Sequence, residues 1–196
     1  MNIAAVVLAA GASSRLGEPK QLLLDVHGEL LVHKVARDAF DAGCRPVCVI
    51  VGAHATEVRA AVVDLDVIVT ENTQWSQGLS SSIRCGVATV TRQPTSEIDG
   101  ILLLTCDMPS VGALHIQLLI AQFHATSAHV ASSYGNTWGV PAVFPASDFA
   151  QLQSIVGDKG AKSLLTDRGA ALVSLKEGTF DLDTPQDVVL WRAAVH

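Results

Sequence analysis

The sequence predicts an α/β fold, a three-layer α/β/α sandwich on a mainly parallel sheet. Two observations carry that expectation. Short apolar runs alternate with longer amphipathic runs along the chain, as in strands buried on both faces and joined by helical crossovers. No linker, repeat or low-complexity segment interrupts the alternation, so the 196 residues read as one domain, 1–196. Such an arrangement is Rossmann-like, and its ligands bind beyond the carboxyl ends of the strands, where the strand order reverses. If the order begins 3-2-1-4, the loop after Leu8 lies beside Cys106 and Asp107.

The elements follow in order. "IAAVVLA" (3–9) is a buried strand, and "ELLVHKVARDAFDAG" (29–43) a helix closed by a C-cap glycine. "PVCVIVG" and "DVIVTE" are the next strands, separated by the short helix "ATEVRAAVV". "SSSIRCGVATVTR" is helical, with Ser80 or Ser81 available as N-cap. "DGILLLTCD" is the most hydrophobic strand, followed by the helix "GALHIQLLIAQFHAT". "HVASSY" and "WGVPAVFP" are strands parted by the turn residues Gly135 and Asn136. "SDFAQLQSIV" and "GAKSLLTDRG" are helices and "AALVSL" a strand. In the last helix, "TPQDVVLWRAAV", Thr184 is N-cap, Pro185 the first helical residue and Asp187 its capping partner.

Composition narrows the function. With 49% hydrophobic and 16% charged residues the chain suits a compact globular protein. A net charge of −6 argues against nucleic-acid or anionic-membrane partners. The opening residues lack the basic segment of a secretory leader, and no apolar run is long enough to span a membrane. Cys44, Cys48, Cys85 and Cys106 read as reduced thiols of a cytoplasmic protein rather than a zinc site.

In an acidic chain, a local basic cluster is informative. "VVLAAGASSRLGEPKQLLL" (6–24) is neither a Walker loop nor a dinucleotide fingerprint. Ala9, Ala10, Gly11 and Ala12 carry almost no side chain, so the backbone can approach a ligand closely and its N–H groups can bind anionic groups. Ser13 and Ser14 add hydroxyls, Arg15 a planar fork and Lys20 a point charge, together a cradle for a triphosphate. The alternative is an ordinary connection with solvated charges. Asp107, at the end of the most hydrophobic strand, suits Mg²⁺, which takes hard oxygen ligands alongside substrate phosphates; capping the following turn is the alternative. In "FDLDTPQD", Asp181 and Asp183 project to one face of an extended segment, and Asp183, with Asp181 second, can complete that metal site. In "ENTQWSQGLSSSIRCG", Gly78 allows a tight entry into a helix whose free amides meet a base, ribose or phosphate. Trp75 reads as packing beneath that loop, and Arg84 as facing either the site or solvent.

These segments resemble the MobA-like nucleotidyltransferases, specifically the molybdenum cofactor cytidylyltransferase branch, with a nucleotide-diphospho-sugar-transferase-like fold. "LAAGASSRLGEPKQLL" is similar to the family's signature loop, "NTQWSQGLSSSIRCGV" to its second motif and "LLLTCDMP" to its metal-binding strand end. "GVPAVF" is similar to its substrate-side strand, "GDKGAKSLL" to a later helix start and "FDLDTPQD" to its closing motif. The resemblance implies that Ala9 to Ser13 wrap a nucleotide with Leu8 beside them, that Arg15 and Lys20 neutralise its phosphates, and that Asp107 and Asp183 hold Mg²⁺, with Mn²⁺ as a substitute. It places Gly78, Ser80 and Ser81 near the nucleoside, and Ser82, Gly139 and Pro141 near the acceptor. Ala10 tilts the base toward cytosine, because guanylyl-transferring relatives carry Gly-Gly where this chain has Ala10-Gly11. Val140 stands where the family's motif has histidine, which leaves the acceptor open; Leu16 replaces Met or Phe with little consequence.

The reaction these readings imply is transfer of CMP from CTP to the terminal phosphate of a molybdopterin-type acceptor, releasing pyrophosphate. The attacking phosphate is already ionised near neutral pH, so no general base is needed. His27, His33, His54, His115, His124 and His129 are accordingly scattered, most of them expected at the surface or in caps. The alternatives are guanylyl transfer to molybdopterin, transfer to a sugar or alditol phosphate, and a non-catalytic carrier that delivers the cofactor to a molybdoenzyme or its chaperone. A carrier has no need of Lys20, Asp107 and Asp183 together.

Overall fold

A computed structural model describes residues 1–93, 97–157, 161–175 and 181–194. Among these residues seven strands, β1 (Ile3–Ala9), β2 (Val47–Val51), β3 (Ile68–Glu71), β4 (Gly100–Thr105), β5 (Val130–Tyr134), β6 (Thr137–Pro145) and β7 (Ala171–Ser174), form one sheet in the order β3-β2-β1-β4-β6-β5-β7. Strands β1 to β4 are parallel, β6 runs antiparallel to β4 and β5, and β7 is parallel to β5. The helices are α1 (Leu31–Asp41), α2 (Ala55–Ala61), α3 (Leu79–Thr91), α4 (Ala113–Thr126), α5 (Phe149–Leu152), α6 (Lys162–Arg168) and α7 (Pro185–Ala194).

Alternation along the central strands divides the core. Ala5, Val7 and Ala9 of β1 join Val49, Leu102 and Leu104 under α1, α2 and α4. Ala4, Val6 and Leu8 join Ile50, Ile101 and Leu103 under α3, α5 and α6. Period-two side chains on strands buried on both faces produce these two half-cores, hence three layers. A third cluster of Leu16, Leu23, Leu31, Leu182, Val188 and Trp191 ties the basic loop to α1 and α7.

The structure departs from the sequence reading locally. The run 147–156 is a single 3₁₀ turn (Ala146–Asp148) followed by the short α5, not one helix. The N-cap of α3 is Gly78, at φ 93°, rather than Ser80 or Ser81; both serines fall inside the first turn and are buried. His115 and His129 are buried rather than superficial, because each finds an internal partner, Ser132 and Asp148 respectively. The last helix starts as expected: Thr184 N–H donates to Asp187 Oδ2 at 2.7 Å, and Asp187 N–H to Thr184 Oγ1 at 3.3 Å.

All four cysteines are free thiols, and burial pushes those of Cys44 and Cys48 up to about 12, which keeps them unreactive near neutrality. Among the described residues, no helix is long and apolar enough to cross a membrane.

Helix α3 lies directly on β1 because Gly86 has no side chain: a Cβ there would sit 2.3 Å from Val6 Cγ1. Gly86→Ala is expected to destabilise the protein by about 1–3 kcal/mol through this overlap. An unchanged denaturant midpoint would contradict such close packing.

Candidate active site

The strand order places the carboxyl ends of β1 and β4 side by side at the reversal point, with Leu8 opposite Thr105. The loop after β1 and the turn after β4 therefore face one another. Lys20 bridges them: its Nζ lies 2.9 Å from Asp107 Oδ2 and 2.9 Å from Asp183 Oδ1. Arg15 Nη2 lies 2.8 Å from Asp183 Oδ2, its side chain otherwise open to solvent. The expected adjacency of the loop with Asp107 is thus present, and the closing motif joins it. Leu182 N–H donates to the Asp107 carbonyl at 2.9 Å, which docks the Asp181–Asp183 segment against the end of β4.

Electrostatics follow from this arrangement. Burial works against the Lys20 charge, but Asp107 and Asp183 outweigh it and hold the ammonium above the usual lysine range. Partial burial pushes Asp183 upward; Lys20 and Arg15 outweigh it and hold the carboxyl below the usual range. Asp181 shifts the other way, raised by burial and by repulsion from Asp107 and Asp183. Asp183 is thus a stable anion, whereas Asp181 carries a charge the site opposes.

Gln21 holds the loop in shape, and the motif reading gave it no role. It is 2% exposed, and its Nε2 donates to the carbonyls of Ala9 (2.9 Å) and Gly11 (2.7 Å). Ser13, at φ 52°, turns the chain, and its Oγ accepts from the Lys20 backbone N–H at 3.1 Å. Gly52 supports the loop from below: a Cβ there would lie 2.6 Å from the Ala10 carbonyl oxygen. The only sequence signal for Gln21 was its place one residue after Lys20; Gly52 stood out only as the end of a strand.

Among the described residues, two cavities on this face share Leu8 and Leu79. The first, about 340 Å³, is lined by Ala10, Gly11, Ala12, Ser14, Gly78 and Ser82 among others. Trp75 borders it while packing on the core, and Arg84 is turned away, its Nη1 donating to the Ile155 carbonyl at 2.6 Å. Ser80 donates to the Gly157 carbonyl, and Ser81 and Ser82 both accept from Asn72 Nδ2, at 2.8 and 3.1 Å. The serines thus hold the start of α3 in place, and Ser82 reaches the first cavity rather than the second. The second cavity, about 140 Å³, is lined by Thr105, Tyr134, Trp138, Gly139, Val140 and Lys162 among others, while Pro141 is buried behind it. Tyr134 links this cavity to the acidic cluster: burial, Asp181 and Asp107 raise its hydroxyl. A third cavity, about 360 Å³, lies at the opposite, amino end of β1 to β3. Of "GDKGAKSLL", residues 158–160 lie outside the described residues.

Residues 5–172 match the model of the MobA-like NTP transferase domain. The chain belongs to this family. It is a nucleotidyltransferase. Among MobA-like relatives, nicotine blue oxidoreductase of Paenarthrobacter nicotinovorans is 30% identical over 83% of this chain and 81% of that one. The purine catabolism protein PucB of Bacillus subtilis is 28% identical over 97% and 96%. Rv0371c of Mycobacterium tuberculosis H37Rv superposes with a TM-score of 0.79 at 30% identity, covering 98% of this chain and 99% of that one. A complex of Rv0371c with manganese gives 0.75 at 28% identity, over 97% and 98%.

The ion cluster generates a pH prediction. The folded pKa of Asp183 is lowered, so its contribution to stability is present above its ordinary value of 3.8 and lost as pH falls through the folded value. The folded pKa of Lys20 is raised, so its contribution is present below 10.5 and lost as pH rises through the folded value. The Tm deficit of Asp183→Asn is expected to be largest between these limits and to vanish in acid. A deficit equal at all pH values would refute the pairing.

Proposed function

We propose that the protein transfers CMP from CTP to the terminal phosphate of molybdopterin or the molybdenum cofactor, releasing pyrophosphate, with Mg²⁺ and in the cytoplasm. The observation that carries this reading is the convergence of Lys20, Arg15, Asp107 and Asp183 at the strand-order reversal, beside a cavity lined by the small-residue loop. Leu8 to Ser13 would wrap the nucleotide, with Gly78 and the start of α3, held by Ser80 and Ser81, beside the nucleoside. Ala10 favours cytosine over guanine. Gly139 and Pro141, on the far side of Leu8, would shape the acceptor side; Ser82 would bound the nucleotide side.

A divalent cation fits the donor set. Oδ2 of Asp107 and Oδ1 of Asp183 converge on one cation, the Lys20 ammonium, 2.9 Å from each; with Lys20 drawn onto the substrate phosphates these oxygens would be free for a metal, and Asp181 adds a carboxylate that would gain from a nearby cation. Among the described residues, no three His, Cys, Asp or Glu side chains form a ready-made metal cage. Two carboxylates completed by substrate phosphates and water is the usual way Mg²⁺ is held. The manganese complex of Rv0371c supports Mn²⁺ as a substitute. When bound, the cation supplies charge neutralisation on the phosphates.

The chain's own residues supply the rest. Lys20 and Arg15 neutralise phosphate charge, and the loop amides fix the triphosphate. The acceptor's phosphate oxygen forms a bond to the α-phosphorus of CTP while the bond to pyrophosphate breaks, the electron pair leaving with pyrophosphate. Positioning and electrostatics suffice, because the nucleophile is already ionised.

With molybdopterin and Mg²⁺, CTP is expected to support turnover and to bind more tightly than GTP, ATP or UTP. A GTP preference would transfer the assignment to guanylyl transfer; turnover only with sugar or alditol phosphates would replace the acceptor. Asp107→Asn is expected to cut pyrophosphate release by roughly 100-fold or more with the fold intact. Unchanged release would remove Asp107 from the site.

A further inference from the structure

The β5–β6 pair is irregular at one place. Val130 pairs with Val143 and Ala131 with Ala142, but the next residue, Ser132, pairs with Gly139. One step along β5 thus spans three along β6, and Val140 and Pro141 are left out of the ladder. Proline cannot donate to a ladder, and a bulge is where a sheet accommodates it. On its other side, β6 pairs with β4 only as far as Leu103↔Ala142, so Leu104 and Thr105 continue without a β6 partner. The sheet therefore opens between β4 and β6 just before the carboxyl end of β4. The second cavity, lined by Leu8, Thr105, Gly139 and Val140, lies in that opening.

A buried chain of hydrogen bonds fixes this bulge. Ser132 is fully buried, and its Oγ donates to the Pro141 carbonyl at 2.8 Å, satisfying an acceptor displaced from regular pairing. His115 Nε2 is 2.7 Å from the same Oγ, and the ring is 7% exposed. Serine has a single hydroxyl hydrogen. Since it goes to Pro141, the His115 contact is an Nε2–H donating to Ser132 Oγ. The relay runs from α4 through β5 to β6, and each removal would leave a buried polar atom unsatisfied.

The geometry points to His115 and Ser132 as positioning residues that hold β6 open at Val140–Pro141 and so set the shape of the acceptor side. They touch neither substrate; they act through the backbone of residues 139–141. This inference rests on the proposed acceptor side, but its first test does not. Hydrogen exchange on the free protein is expected to quicken at Gly139 and Ala142, the ladder residues on either side of the bulge, in His115→Leu and Ser132→Ala, with the loop 9–21 unaffected. His115→Gln, whose side-chain amide can donate to Ser132, is expected to restore slow exchange. In turnover, both disruptive variants are expected to raise the acceptor KM about tenfold while the CTP KM stays within about twofold. Unchanged exchange at Gly139 and Ala142, or an equal rise in both KM values, would overturn the positioning role. If molybdopterin proves not to be the acceptor, the proposed function fails, while the exchange result still decides this inference.

Discussion

Everything at the candidate site depends on one ammonium group held between two carboxylates. Lys20 comes from the loop after β1, Asp107 from the end of β4 and Asp183 from the segment before α7. Three parts of the chain with no local connection meet at one nitrogen. An isolated surface pair contributes little, because solvent screens it and ordering two long side chains costs entropy. Here Lys20 is only 18% exposed, and backbone bonds already order its surroundings, Lys20 N–H to Ser13 and Leu182 N–H to the Asp107 carbonyl. The cluster is preorganised: its charges are in place before a nucleotide arrives.

The fold makes that meeting possible and then divides the space around it. Because the order reverses between β1 and β4, two loops splay apart above neighbouring strands. Leu8, at the end of β1, stands between a cavity walled by the small-residue loop and one walled by β6. A two-substrate transfer needs such a division, with both reactants converging on the charged group between them. The antiparallel β6 bounds the second cavity, entering at this face from the short turn after β5. The bulge at Val140–Pro141 then widens the gap.

How much of this was legible in the sequence can be seen residue by residue. The alternation of apolar runs defined the layers, since strands buried on both faces have no polar side to obscure them. Arg15 and Lys20 stood out as a basic cluster in an acidic chain, Asp107 as a carboxylate closing the most hydrophobic strand, and Asp183 as half of an acidic pair in an extended segment. Gln21 did not, because its burial exists only once the loop has curled over it and turned the carbonyls of Ala9 and Gly11 inward. Ser80 and Ser81 looked like helix caps, yet Gly78 takes that role with a backbone angle a serine seldom adopts; the Ser80 hydroxyl donates to Gly157 and that of Ser81 accepts from Asn72. His115 and Ser132 lie 17 residues apart on a helix and a strand, and no local pattern announces their bond.

Family membership establishes nucleotidyl transfer as the chemistry, while one relative bears the name of an oxidoreductase. The most direct measurement therefore follows the atoms. With CTP labelled at the α-phosphorus, molybdopterin and Mg²⁺, the label is predicted to appear in the acceptor product while unlabelled pyrophosphate is released. Label confined to CTP or to free CMP, with the acceptor unmodified and the protein folded, would contradict the transfer reaction assigned to this site.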